Sequence, residues 1–415
     1  MTKEIITNKT KMTKLSITNN EISAILKSDD TKTGLRIYSD GYIGIAGAIG
    51  KYDEGELIRQ AGDMLRYQVP YACAPTENTV RSMDCSSQQE LSDEEFIEIS
   101  TRLLDTLKAR YPSFTYNHII RSVENETSLR NDRGTDLNYK DKYVSLELLV
   151  KHKISTNLVD SFAVNLSRIY SFEDAYSIAS CFCDAYEEKI DFDQECKMPV
   201  VVLTEHEMFL GKFFTDLHGK QYGTNTSLFS GKTGEKLFHE QFSLQVNRNP
   251  LETYSCFFDG EGTIPEDNVC RLIDNGVLKM PYSTKRIARK YNLPLTSSAS
   301  LAYDAVPDAV MDGISIVPGD QTIRQLLQGR KAIYVIIASG GDFTAQGEYA
   351  TPVQTAYLFD GDKIYGRLPQ LVLTSTVYDM FGKDFVGVSA DGNSKYNPFK
   401  YLVMDMNVKK IGGHI

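Results

Sequence analysis

The chain begins with segments that have the composition of β-strands. Residues 14–28 and 34–49 are rich in β-branched and aromatic side chains. Each segment is interrupted by a dipeptide that favours a tight turn, Asn19-Asn20 in the first and Asp40-Gly41 in the second. The pattern therefore predicts strands of an antiparallel sheet, and residues 143–152 have the composition of a further strand.

Helical periodicity alternates with these strands. Residues 54–67 have helical spacing of apolar positions, and residues 91–112 form a clearer amphipathic helix. Ser92 and Glu95 have the spacing of a capping box at its start. Its apolar stripe comprises Phe96, Ile99, Leu103 and Leu107. The pattern of residues 171–190 predicts another helix, which Ser171 would cap.

A polar segment that ends in proline, residues 187–199, separates this part from the rest of the chain. We place a domain boundary there, with an N-terminal α+β domain over 1–195 and a C-terminal strand-rich domain over 196–415. Hairpins are predicted in the second part at Asn275-Gly276 and Asp360-Gly361. The whole pattern predicts a two-domain α+β protein with largely antiparallel sheets and flanking helices.

Charge and cysteine content narrow the range of partners. The chain has 45 Lys and Arg against 55 Asp and Glu, a net charge of −10, and an acidic chain without a basic block is a poor nucleic-acid binder. Its seven cysteines have no CxxC spacing, which disfavours a zinc ribbon or a redox dithiol. We see no apolar signal-peptide core and no run of membrane-spanning length. We therefore expect a cytoplasmic protein without nucleic-acid or membrane partners.

The candidate metal chemistry begins at His206-Glu207, the first two residues of a zinc-peptidase helix. A catalytic zinc needs three protein ligands, and the second histidine of HExxH or HExxxH would fall on residue 210 or 211. Those positions hold Leu210 and Gly211, whose side chains have no donor atom. His206 and Glu207 are therefore weak catalytic candidates, and a solvated helix edge is the alternative interpretation.

Other segments could carry chemistry without a metal. Asp259 and Glu261 would share a face on a strand and could act as an acid–base pair, but the adjacent glycines favour a turn. A glycine pair after a predicted buried strand would let a peptide approach closely, or would form a turn. A short basic helix face is either solvated or holds a peptide C-terminus. The resulting peptide-binding candidates are Ser339, Gly340, Gly341 and Arg289.

Segments 226–237 and 257–300 resemble the TldD/PmbA family. The family pattern DxEGxxxxxxxLIxNGxLKxYLxxxxxARK is matched at Asp259, Glu261, Gly262, Leu272, Ile273, Asn275, Gly276, Leu278, Lys279, Ala288, Arg289 and Lys290. Later segments, including 316–336 and 385–393, follow in the family's order. The likeness covers residues 200–415 and extends more loosely towards the N-terminus.

The resemblance implies one of two kinds of subunit. TldD-like subunits are metallopeptidases with an HExxxH helix and a Cys ligand in a late loop. PmbA-like subunits, also called TldE, lack these ligands and pair with the catalytic kind. Ser389 stands at the position of the late Cys, and a serine hydroxyl is a poor zinc ligand at neutral pH. The chain is therefore closer to the PmbA-like kind, and we expect no cofactor.

Three functions remain open at this point. The first is a catalytically silent subunit that helps a TldD-like metallopeptidase hold and process unfolded peptides, as a heterodimer or as a dimer with itself. The second is an active metallopeptidase with a rearranged zinc site. The third is a non-enzymatic, self-assembling scaffold or regulator.

Overall fold

The computed structural model describes residues 1–86, 91–156, 161–204, 207–394 and 398–411. The strands are β1 (Thr2–Thr18), β2 (Glu21–Ser39), β3 (Tyr42–Ile49), β4 (Val80–Asp84), β5 (Phe114–Asn131), β6 (Asp136–His152), β7 (Ser161–Arg168), β8 (Cys196–Leu203), β9 (Leu244–Asn247), β10 (Val269–Asp274), β11 (Val277–Leu278), β12 (Ile314–Ile316), β13 (Ala332–Ala338), β14 (Asp342–Phe343), β15 (Glu348–Phe359), β16 (Ile364–Arg367), β17 (Leu371–Thr376), β18 (Phe385–Val388) and β19 (Tyr401–Lys410). The helices are α1 (Glu54–Met64), α2 (Asp93–Arg110), α3 (Phe172–Tyr186), α4 (Gly211–Asp216), α5 (Gly219–Gly223), α6 (Pro250–Thr253), α7 (Lys285–Tyr291), α8 (Ile323–Leu327) and α9 (Val377–Met380). No helix in these ranges combines the length and the apolar character that crossing a bilayer requires.

The strands β1 to β7 form one seven-stranded sheet. Its order is β3-β2-β1-β5-β6-β4, and β7 also pairs with β6. The predicted turns at Asn19-Asn20 and Asp40-Gly41 are confirmed, because all four residues have φ between 49° and 83°. Asn, Asp and Gly adopt this left-handed region at lower cost than other residues, so the hairpins form where the sequence indicated.

The helix α2 begins as predicted with a capping box. The Ser92 hydroxyl accepts from the Glu95 N–H at 3.2 Å, and the Glu95 carboxylate accepts from the Ser92 N–H at 2.9 Å. Phe96, Leu103 and Leu107 of the predicted stripe are fully buried. This apolar face packs in the same core cluster as α3, whose N-cap is the predicted serine.

Five C-terminal strands close into a ring. The strands β8, β19, β17, β15 and β13 pair in that order, and β13 pairs back with β8. Along β8, Val200 and Val202 lie in one hydrophobic core, whereas Val201 and Leu203 lie in the other. The continuous apolar run of β8 thus follows from burial on both faces of the strand.

A separate four-stranded sheet has the order β11-β10-β9-β12. The predicted turn at Asn275-Gly276 joins β10 to β11, with φ of 49° and 78°. Among the described residues β12 pairs only with β9, so it forms an edge of this sheet.

The predicted α+β class with largely antiparallel sheets is confirmed. The predicted domain boundary at residue 195 falls just before β8 begins at Cys196. One hydrophobic core contains residues from both sides of it, including Leu15 and Tyr401. The division into two domains therefore stays a prediction.

A buried guanidinium joins the seven-stranded sheet to the C-terminal part. Arg36 is completely buried, and its Nη1 lies 3.2 Å from the carboxylate of Glu4, which is 1% exposed. The same side chain donates to the carbonyl oxygens of Gly260 and Ala302. Glu4 also accepts from the Tyr38 hydroxyl at 2.8 Å. The positive charge is thus paired, and it fixes two backbone positions that are distant in sequence.

Replacing Arg36 with Met leaves Glu4 buried without its partner. We expect the free energy of unfolding to fall by about 3–5 kcal/mol, as for other broken buried ion pairs. Arg59 offers a matched control, because it bonds to Glu56 and Asp63 on the exposed surface. Arg59→Met should cost far less, because exposed ion pairs contribute little to stability. Denaturant unfolding of both variants measures the difference, and equal losses would contradict a structural role for Arg36.

Candidate functional site

A cavity of about 770 Å³ lies beside the segment that joins β8 to α4. Its wall includes Thr204 at the end of β8 and residues 398–400 just before β19. Leu210 and Phe214 supply an apolar side. The opposite side comes from β9, α6 and β12. The cavity therefore lies where the strand ring meets the four-stranded sheet, at the place that the sequence indicated for a metal helix.

The wall contributed by β12 is an open strand edge. Residues 311–316 all line the cavity. Gly313 accepts from the Asn247 N–H at 2.8 Å, and Val317 donates to the Ser243 carbonyl at 3.0 Å, so both face β9. Because peptide groups alternate in direction along a strand, those of Ile314 and Ile316 are directed to the outer edge. The Ile314 N–H donates to the Met311 carbonyl, whereas the Ile316 N–H has no partner among the described residues.

The predicted metal helix is short and interrupted. A 3-10 turn spans Glu207–Leu210 and is followed by α4. His206 lies outside the described residues. Leu210 is 3% exposed and packs in the C-terminal hydrophobic core, and Gly211 is the first residue of α4. Among the described residues, no atom lies within 4 Å of an ideal Cβ built at Gly211.

Ser389 joins its own loop to the start of β19. It is completely buried, its hydroxyl donates to the Asp391 carbonyl at 2.6 Å, and it accepts from the Tyr401 N–H at 3.0 Å. The donated bond needs the hydroxyl proton. A deprotonated Ser389 bound to zinc would lose that bond, so the hydroxyl serves here as a structural contact.

Two other histidines are helix or turn caps. His218 Nδ1 accepts from the Lys220 N–H at 3.1 Å at the start of α5, and burial lowers the pKa of His218. His239 Nδ1 accepts from the Gln241 N–H at 3.2 Å. Within the described part of the chain, no group of three or more His, Cys, Asp or Glu side chains has the arrangement of a metal site.

Asp259 organises a tight turn. It is completely buried, and its carboxylate accepts from the backbone N–H groups of Glu261, Thr263 and Ala299 at 2.9–3.0 Å. Gly260 permits the close approach of the segment at Ala299 and Ser300, because a Cβ there would lie 1.7 Å from the Ser300 carbonyl oxygen. The carboxylate of Asp259 is thus used to hold the turn and that segment, as the turn interpretation expected.

Glu261 points away from the cavity and holds two other segments. Its carboxylate accepts from the Tyr71 hydroxyl and, at 2.7 Å, from the Lys285 N–H at the start of α7. Burial first, and then the neighbouring charge of Asp259, raises the pKa of Glu261 to about 7. Neither acid lines the cavity, so the pair is a structural element rather than acid–base machinery for a bound peptide.

The residues predicted to bind peptide make contacts elsewhere in the chain. Ser339 exchanges two hydrogen bonds with the Gln354 side chain, at 2.9 and 3.0 Å. A Cβ on Gly341 would lie 2.3 Å from the Thr351 side chain, so the glycine permits approach of the chain's own strand. Arg289 donates to the Ala72 carbonyl. None of the predicted group Ser339, Gly340, Gly341 and Arg289 lines the cavity, and their role in peptide binding stays a prediction.

Sequence reasoning missed the polar residues of the cavity wall. Gln245 and Ser315 lie directly opposite each other on β9 and β12. Both line the cavity. Each sits in a short strand of ordinary composition, and no spacing motif marks it. The pairing that brings the two strands together is visible only in the folded chain.

Comparison with known proteins identifies the class of chain that has this fold. Residues 195–409 match the family model described as the PmbA/TldA metallopeptidase C-terminal domain, which is more than half of the chain. The chain therefore belongs to the PmbA/TldD family.

A metalloprotease of Methanocaldococcus jannaschii is 25% identical over 162 residues, covering 38% of this chain and 36% of the relative. A metalloprotease of Methanothermobacter thermautotrophicus is 24% identical over 168 residues, covering 40% and 36%. The chain thus matches little more than a third of the length of these relatives.

Solved structures share the fold along nearly the whole chain. TldE from Thermococcus kodakarensis superposes with a TM-score of 0.81 at 16% identity, covering 98% of this chain and 96% of that one. A Thermotoga maritima protein described as a candidate modulator of a DNA gyrase gives 0.79 at 15% identity, with the same coverage. At these identities the likeness establishes the fold.

The raised pKa of Glu261 predicts a pH dependence of stability. The folded value of about 7 lies above the ordinary 4.5, so the folded state binds this proton more tightly than the unfolded chain. Stability relative to the Glu261→Gln variant should therefore fall by about 2–3 kcal/mol as pH rises from about 5 to about 8. Unfolding measured across this range tests it, and a difference that stays constant with pH would contradict it.

Proposed function

We propose that this chain is a catalytically silent member of its family, which holds an extended, unfolded peptide in the cavity for a TldD-like metallopeptidase subunit. The observation that carries the proposal is the open edge of β12 along a cavity where the expected metal ligands are missing. An extended peptide can add to such an edge through main-chain hydrogen bonds, which need no particular peptide sequence.

The residues present do not fit the zinc that the family name implies. Two of the three ligand positions offer no free donor. The second histidine would fall on Leu210, which packs in the core, or on Gly211, which has no side chain, and the Ser389 hydroxyl already bonds to Asp391 and Tyr401. Two remaining donors, His206 and Glu207, fall short of the three protein ligands that a catalytic zinc requires. We therefore derive no hydrolytic step for this chain by itself.

The geometry of the edge determines what the chain can do for a peptide. The N–H of Ile316 and the carbonyls of Ile314 and Ile316 are directed outward and can pair with one extended segment. Leu210 and Phe214 offer an apolar surface to alternate side chains of that segment. A peptide held in this way is extended and fixed in register, which is the form that a peptidase subunit cleaves.

Metal analysis tests the silent character of the chain. Protein purified without added metal should contain far less than one zinc per chain, because the third ligand is missing. A relative with an intact HExxxH helix, purified in the same way, is the control and should retain its metal. One tightly bound zinc per chain would contradict the proposal and favour an active peptidase with a rearranged site.

Reconstitution with a TldD-like subunit tests the holding role. The mixture should form a complex that cleaves an unfolded peptide faster than the TldD-like subunit alone. Ile316→Pro removes the outward N–H at an edge position that tolerates proline, and it should weaken peptide binding roughly fivefold, the value of one hydrogen bond.

Ile316→Val is the matched control for that experiment, because it keeps the N–H and a similar apolar side chain. It should leave peptide binding close to the wild-type value. If no complex forms and the TldD-like subunit works equally well alone, the pairing is refuted and a scaffold or regulatory role is favoured.

A further inference from the structure

We propose that Gln245 and Ser315 recognise an uncharged hydrogen-bond donor on one side chain of the bound peptide, such as a glutamine carboxamide or an indole N–H. This inference rests on the function proposed above. The main-chain contacts at the edge of β12 do not depend on the peptide's sequence, whereas this contact would favour peptides with a particular kind of side chain.

The alternation along β9 places Gln245 on the cavity face of the four-stranded sheet. Leu244 and Val246 are completely buried in the C-terminal hydrophobic core. Gln245 and Asn247 point to the other face, because successive side chains on a strand alternate. Ser315 lies directly opposite Gln245 in the antiparallel pair, so the two side chains share that face.

Gln245 differs from its neighbour on the same face. Asn247 is 2% exposed and satisfied, since its amide donates to Glu252 at 2.7 Å and its oxygen accepts from the Asn249 N–H at 2.8 Å. Gln245 is 6% exposed, and its Oε1 has no hydrogen-bond partner among the described residues. The Ser315 hydroxyl has none either. Two adjacent buried polar groups are thus left unsatisfied at the wall of one cavity.

An unsatisfied buried carbonyl oxygen is costly, and a ligand that supplies a donor removes that cost. The charges of the described residues at this wall balance in number. Asp312 accepts from the guanidinium of Arg248 at 2.5 Å, and Glu252, which accepts from two asparagine amides, lines the same cavity as Lys400. These described residues therefore leave no net negative charge to favour a cationic side chain. An apolar body beside Leu210 and Phe214 with a neutral N–H at its end matches this wall.

The test compares two labelled ten-residue peptides of alternating Ala and Gly, whose side chains carry no donor, and the two peptides differ only in one central residue. One carries Gln and the other carries Met, which has a similar shape and no donor. Fluorescence anisotropy should show that the wild-type protein binds the Gln peptide roughly tenfold more tightly than the Met peptide.

Variants locate the origin of this preference. Gln245→Leu should reduce the ratio of the two dissociation constants to less than about twofold, and Ser315→Ala should reduce it roughly threefold. Gln60→Leu changes an exposed glutamine on α1, outside the cavity, and should keep the wild-type ratio. Thermal unfolding of each variant checks that it is folded. If Gln245→Leu does not fold, the ratio measured for Ser315→Ala decides the test.

The outcomes separate this inference from the function on which it rests. If neither peptide binds the wild-type protein, the peptide-holding function itself fails. If both peptides bind equally well, the holding function stands and the donor recognition is overturned. If the wild type discriminates and neither Gln245→Leu nor Ser315→Ala alters the ratio, these residues are not its source and the inference is overturned.

Discussion

The buried guanidinium of Arg36 is the contact on which the rest of the arrangement depends. A charge that is 0% exposed is stable only with its partners in place, and Arg36 has a carboxylate and two backbone carbonyls. The carbonyls belong to Gly260, within the turn that Asp259 organises, and to Ala302, in the segment that follows α7. The N-terminal sheet and the family-pattern segment are therefore joined by this side chain, in addition to the contact of Tyr71 with Glu261. Loss of Arg36 would leave Glu4 as a buried carboxylate without its cation.

A second buried guanidinium extends this linkage to the cavity. Arg248, which is also 0% exposed, follows β9 and donates to the Ser297 carbonyl at 3.0 Å. It pairs with Asp312, just before β12, at 2.5 Å. Asp259 bonds to the Ala299 N–H between these points. A continuous set of buried polar contacts thus connects the seven-stranded sheet to the open strand edge, and it holds that edge in place without covering it.

Much of this fold could be predicted from local sequence patterns. The capping box at Ser92 and Glu95 and the turn at Asn275-Gly276 are local signals, and each determines its own geometry through hydrogen bonds or a positive φ. The function of Asp259 was left open between a turn and paired catalysis, because a carboxylate's partners depend on segments far away in sequence. No sequence pattern marked Gln245, because its place on the cavity wall also depends on strands that are distant in sequence.

For the metal site, the sequence shows which donor atoms are missing but not what fills their place. The lack of donor atoms at Leu210 and Gly211 is visible in the sequence, because it depends only on residue identity. The sequence does not show which side chains occupy the position of the missing metal site. The apolar packing of Leu210 and the cavity beside it arise from the closure of the strand ring against the four-stranded sheet.

Amide hydrogen exchange of the chain, with and without an unfolded peptide, tests whether a peptide pairs with the edge of β12. Exchange at Ile316, whose N–H lies on that outer edge, should slow when the peptide is added, while exchange in the seven-stranded sheet should not change. Slowed exchange elsewhere, with the β12 segment unaffected, would contradict the placement of a peptide in this cavity.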